Sequence, residues 1–148
     1  MKTDFETLRS LAAYLINYLK DAGHIDFNAS VRLDLIDALA TEMTVGLSTD
    51  DDIKEQAIEE VEEKMGNSNL PEDITETEMF NHARKEIIKS FNGENIGGLY
   101  LVESILQLAD RITRFIMESD YIEDVYGMDD EIITFLVDKI RAFSPVRA

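Results

Sequence analysis

LRSLAAYLINYLKDAGHIDFNASVRLDLIDALATEM, residues 8–43, returns 97 residues later as ILQLADRITRFIMESDYIEDVYGMDDEIITFLVDKI, residues 105–140, with its apolar positions in the same places. Leu8, Leu11, Leu15, Tyr18, Leu19, Ile25, Val31, Leu35, Ile36 and Leu39 map onto Ile105, Leu108, Ile112, Phe115, Ile116, Ile122, Met128, Ile132, Ile133 and Leu136. Ala12 falls on Ala109 and Met43 on Ile140, while Asp21, Asp26 and Asp34 fall on Glu118, Glu123 and Glu131. An apolar stripe that recurs while the surface drifts is the mark of a duplicated supersecondary unit. Within each copy the spacings of three and four are helical, so the unit reads helix, short acidic link, helix. The fold class that follows is all-α, a compact bundle of about six helices containing a duplicated helical hairpin. Exposed positions differ between the copies, as with Tyr14 against Arg111 and Phe27 against Asp124, so a local function is expected where the copies disagree.

Working outward, copy one covers 1–45, connecting helices cover 48–93 and copy two covers 98–143, within a single domain of residues 1–148. Thr3 and Glu6 have capping-box spacing for the first helix, and Gly23 stops it. The link HIDFN buries Ile25 or Phe27, and Asn28 or Ser30 caps the second helix. Ile53, Ala57, Val61 and Met65 form the seam of a third, ended by Gly66. GNSNLPED is a loop, after which Thr75 and Glu78 repeat the capping spacing for a helix carrying Phe80, Ala83, Ile87 and Phe91. Gly97–Gly98 reads as the start of the longest and most apolar helix, about 99–119. Its apolar residues on many sides predict a central element, or one half-buried in an oligomer. Asp129 or Asp130 caps the last helix, and no strand is expected.

Apolar residues make up 45% of the chain, which suits a globular protein and not a disordered acidic one. There is no cysteine, so disulfides, thiolate zinc sites and thiol chemistry are excluded. MKTDFETLRSLAAYLINYLK is amphipathic and unlike a secretory signal, and no apolar run is long enough to span a bilayer. A cytoplasmic location is the expectation. The net charge of −17 argues against direct nucleic-acid binding, which needs clustered Lys and Arg, and against anionic membranes. Residues 42–78 hold thirteen acids against Lys54 and Lys64, and residues 118–131 hold seven acids and no base.

Two acidic faces are therefore the candidate partner-binding sites: Asp50, Asp51, Asp52, Glu55, Glu59, Glu62 and Glu63 on the third helix, and Asp120, Glu123, Asp124, Asp129 and Asp130 in and beside the second link. Tyr121 and Tyr126 sit within the second. Helical Glu-x-x-Glu pairs hold magnesium in all-α nucleotide pyrophosphohydrolases, which makes Glu59, Glu62 and Glu63 the residues of a hydrolase alternative. No facing acidic pair or triphosphate-binding basic set accompanies them. No Glu-x-x-His pair, calcium loop, phosphate loop or catalytic triad order is present, so no catalytic residue, metal site or cofactor is assigned. The expected function is a non-catalytic protein-binding or adaptor module that takes a partner with a basic surface and forms a homodimer. An acidic DNA-mimic inhibitor of a nucleic-acid-binding protein is the alternative.

LAAYLINYLKDAGHIDF, VRLDLIDALATEM, DDDIKEQAIEEVEEKM and LPEDITETEMFNHARKEIIKSFNG together resemble a bacterial family, the domain of unknown function 507. The resemblance covers residues 1–93, and residues 98–143 resemble a second partial copy. It implies helix, acidic-aromatic link, helix, paired-acid cap, helix and a Pro-led loop into a further helix. It implies no activity, cofactor or catalytic residue. The acid load of the third helix departs from the family, where more basic residues are expected.

Overall fold

A computed structural model describes residues 4–66, 76–90 and 95–143. Among the described residues there are six α-helices: α1 (Asp4–Asp21), α2 (Arg32–Met43), α3 (Asp50–Gly66), α4 (Glu76–Lys89), α5 (Ile105–Glu118) and α6 (Asp129–Ala142). Five short strands join them: β1 (Ile25–Asp26), β2 (Leu47–Ser48), β3 (Asn95–Ile96), β4 (Leu99–Leu101) and β5 (Asp124–Val125). The all-α class is what the helical spacing predicts.

The helix ends keep the spacing of the sequence pattern. α1 stops at Asp21 and α5 at Glu118, while α2 starts at Arg32 and α6 at Asp129, each pair 97 residues apart. α1 packs on α2 and α5 on α6, and the two hairpins meet through α2 against α5 and α1 against α6. Leu11, Leu15, Leu35 and Leu39 are fully buried between them, as are Leu108, Ile112, Ile132 and Leu136. Burying such a side chain stabilises the fold by about 1.5–3 kcal/mol, which is why the stripe is the part held fixed. Ile25 and Phe27 are both buried, where the pattern required only one.

The links are where strands appear. β1 runs antiparallel to β5, with Ile25 opposite Val125 and Asp26 opposite Asp124. α1 reaches its link through Gly23 at φ +80, with the His24 N–H donating to the Leu19 carbonyl at 2.9 Å and the Gly23 N–H to Lys20 at 3.0 Å. That is the left-handed stop glycine favours. α5 ends differently, on Ser119 in an extended conformation.

A second apolar cluster, Ile53, Ala57, Val61, Ala83 and Ile87, lies between α3 and α4. β4 runs between the two clusters. Alternation along the strand turns Leu99 and Leu101 into the main core and Tyr100 toward the α3–α4 cluster.

Several sequence expectations change. Residues 99–101 are a strand, not the first turn of a helix, and α5 covers 105–118. Gly97 and Gly98, at φ +58 and +93, make the two-residue turn of the β3–β4 hairpin. Positive φ at both central positions gives the twist two paired strands need, and it suits Gly-Gly. α5 instead begins at Ser104, which forms a capping box with Gln107. Asp129 and Asp130 lie in the first turn of α6, whose N-cap is Met128. Asn28 caps the 3-10 turn at Ala29–Val31 through Ser30 N–H, and α2 follows with Val31 as N-cap and no side-chain cap bond. Thr3, Thr75 and Phe91 lie outside the described residues, as do the side chains of Asp50, Asp51 and Met65. Among the described residues, no helix is long and apolar enough to cross a membrane.

Candidate functional site

The first acidic face follows from how α3 begins. Thr49 and Asp52 cap it reciprocally: the Asp52 N–H donates to Thr49 Oγ1 at 3.2 Å, and the Thr49 N–H to Asp52 Oδ2 at 3.1 Å. Ile53, Ala57 and Val61 then turn inward against α4, which leaves Asp52, Glu55, Glu59, Glu62 and Glu63 exposed. Asp50 and Asp51 belong to the same helix, but their side chains lie outside the described residues. Among the described residues, no three acidic or imidazole side chains converge as metal ligands. Glu59, Glu62 and Glu63 form an exposed row on α3.

The second face divides. Asp129, Asp130 and Glu131 occupy the first turn of α6, where carboxylates complement the positive end of the helix dipole. Asp120 is exposed in the turn after α5. Glu123 and Asp124 are brought to the link between α1 and α2: the Glu123 N–H donates to the Asp26 carbonyl at 2.9 Å, and Asp124 stands opposite Asp26. The Tyr126 N–H donates to the His24 carbonyl at 2.7 Å, which fixes the exposed Tyr126 beside these acids. Asp124 first, then slight desolvation, Asp26 and Glu123 raise the Tyr126 phenol above its ordinary value of 10.0. A ring ringed by carboxylates resists acquiring a charge of its own.

A third feature was not legible in the sequence. A cleft of about 610 Å³ opens along α5, lined by Glu42, Glu103, Asp110, Arg111, Arg114, Phe115 and Glu118 among others. Arg111 is clamped within it. Its Nε donates to Glu103 Oε1 at 2.8 Å, Nη2 to Glu103 Oε2 at 3.1 Å and Nη1 to Glu42 Oε1 at 3.5 Å. The Glu103 hydrogen bond is the main reason the guanidinium is held above its usual pKa, against a smaller opposing effect of burial. Arg114 pairs with Asp110 at 3.1 Å, one helical turn away. Gly46 makes the clamp possible, because a Cβ there would overlap the Glu103 carboxylate and lie 2.8 Å from its Cδ.

The positions 97 residues away in sequence are filled differently. Tyr14 donates its hydroxyl to the Lys139 carbonyl at 2.8 Å and packs edge-on against Tyr18 and at a tilt against Phe143, at 4.8 and 5.2 Å between centroids. Tyr14, Tyr18, Lys139 and Phe143 correspond to Arg111, Phe115, Glu42 and Gly46. The disagreement between Tyr14 and Arg111 was visible in the sequence; the cleft it opens was not.

No family model, curated protein or solved structure matches the chain, and the resemblance to the domain of unknown function 507 rests on the quoted segments alone.

Proposed function

We propose that this protein is a non-catalytic binding module for a protein partner with a basic surface. The observation that carries the reading is the meeting of Asp26, Glu123 and Asp124 around the exposed ring of Tyr126. Like charges opposite one another across a strand pair cost stability, so a partner's Lys or Arg gains by relieving them. Tyr126 adds an apolar body with a polar tip, the kind of residue enriched in interfaces. The charge of −17 steers such a partner from a distance.

Self-association is the second part of the proposal. Ile105, Leu108, Ile112 and Ile116 of α5 are buried within the chain, so the helix stripe offers no surface to a second copy. Exposed apolar side chains include Val45, Val102 and Leu106, and the Val102 N–H donates to the Gly46 carbonyl next to Val45. Sedimentation at micromolar protein should show a dimer that L106E dissociates; a monomer at all concentrations overturns this part.

The partner reading is tested by capture from native lysate with the wild type and with D26N/E123Q/D124N, each at two salt concentrations. Basic proteins retained by the wild type and lost by the variant and at high salt are the expected result. Identical captured sets overturn it. The row Asp52, Glu55, Glu59, Glu62 and Glu63 on one side of α3 favours a second reading, an acidic decoy for a nucleic-acid-binding protein. On that reading, duplex DNA displaces the captured partner, and E59K/E62K releases it.

A further inference from the structure

The cleft along α5 has a counterpart that the chain fills with its own cation. Glu42 and Phe115, which line the cleft, correspond to Lys139 and Tyr18 at a spacing of 97. In that other half, the Lys139 ammonium lies over the Tyr18 ring, 4.4 Å from its centroid, and 5.5 Å from that of Phe135. A cation over an aromatic face is attracted by the ring quadrupole. Phe143 closes the counterpart by packing on Tyr14.

Both fillings are missing from the cleft. An acid, Glu42, stands where the lysine would be, and Gly46 stands where the closing phenylalanine would be. The space left is about 610 Å³. Its two guanidiniums are held by carboxylates of the chain, Arg111 by Glu103 and Glu42 and Arg114 by Asp110. Glu118 adds a fourth acid to the lining, so acids outnumber bases. Aromatic wall, excess negative charge and open volume coincide where the other half holds a lysine.

We propose that the cleft receives the ammonium of a partner's lysine side chain, seated against Phe115 with Glu42 and Glu118 as its counter-charges. The proposal rests on the basic-partner reading and gives that partner a pocket distinct from the two acidic faces.

The test is titration of the full-length, isotopically labelled protein with hexalysine at low salt, read by NMR. Shifts at Phe115, Glu118 and Ser119 are expected. E42K places a lysine of the chain in the cleft, as Lys139 is placed in the other half, and should weaken binding about tenfold. E60K, the same charge change on α3, should weaken it about twofold by long-range charge alone. F115L keeps the apolar volume without the ring face and should cost about threefold with no change of charge. Circular dichroism confirms that each variant folds. Equal losses for E42K and E60K, no effect of F115L, or shifts confined to residues 120–131 overturn the cleft proposal. Hexalysine that does not bind overturns it too. In each case the basic-partner reading is decided separately by the capture experiment with D26N/E123Q/D124N.

Discussion

The Tyr14 hydroxyl donates to the Lys139 carbonyl at 2.8 Å, and Arg111, 97 residues after Tyr14, donates to Glu42, 97 residues before Lys139, at 3.5 Å. The two contacts tie the hairpins crosswise, α1 to α6 and α5 to α2. One is made by a neutral phenol among aromatic rings, the other by a guanidinium among carboxylates. Lys139 belongs to the last turn of α6, whose final carbonyls have no intrahelical donor, so Tyr14 supplies one from another helix. Positions 97 residues apart thus carry different chemistry, and both contacts join one hairpin to the other.

Gly46→Ala should lower stability by about 1–2 kcal/mol in urea denaturation. The new methyl displaces the Glu103 carboxylate and breaks its two-pronged bond to Arg111. In an E103A background, where no carboxylate occupies that space, the same substitution should cost much less. Equal costs in both backgrounds would refute the argument.

Tyr14→Phe should lose about 1 kcal/mol at neutral pH, the usual worth of one such hydrogen bond. The alkaline limb gives a separate check. Burial first, then Tyr18 and Asp138, raise the Tyr14 phenol above 10.0. A group whose folded pKa lies above its unfolded one contributes fully below the unfolded value, and its contribution disappears as pH rises through the folded one. The wild type should therefore lose stability above about pH 10 more steeply than Y14F, as compared by denaturation midpoints at pH 8 and 11.

Asp124→Asn should move the Tyr126 phenol back toward its ordinary value, because Asp124 is the largest cause of its rise. Tyrosinate absorbance or ring NMR shifts against pH would follow it. Removing one of two opposed acids should also raise stability by a few tenths of a kcal/mol, more at low salt than at high. An unchanged phenol titration would separate Tyr126 from the acidic link.

The β3–β4 turn predicts opposite outcomes at adjacent glycines. Gly97 at φ +58 is in the region asparagine tolerates, so G97N should leave the melting temperature almost unchanged. Gly98 at φ +93 is not, and G98A should cost about 1 kcal/mol although nothing stands within 4 Å of the added Cβ.

The helices were legible because burial imposes a period on the residues that pay for it. Leu11, Leu15, Leu108 and Ile112 could be placed from spacing alone. The β3–β4 hairpin was not, because Leu99, Tyr100, Leu101 and Val102 form a short apolar run whose period does not separate strand from helix. Gly97–Gly98 carried the missing information as a turn signal. Asp52, Glu55, Glu59, Glu62 and Glu63 are exposed on α3, yet sequence could not show that Glu123 and Asp124 would meet Asp26 across a strand pair. The cleft was beyond reach for the same reason: Glu42, Glu103 and Arg111 come from separate elements, and their meeting depends on the packing of α2 against α5.

The pairing of β1 with β5 also sets an order of events as the chain forms. Each helical hairpin closes within about forty residues, but Ile25 can find Val125 only once the far end of the chain exists. Loop closure grows costlier by about 0.6 kcal/mol for each doubling of length, and contacts distant in sequence slow folding. During synthesis the first hairpin must therefore wait with Leu11, Leu15 and Leu39 incompletely covered until α5 and α6 emerge. That interval is when a chaperone, or a neighbouring nascent chain, would compete for its apolar side.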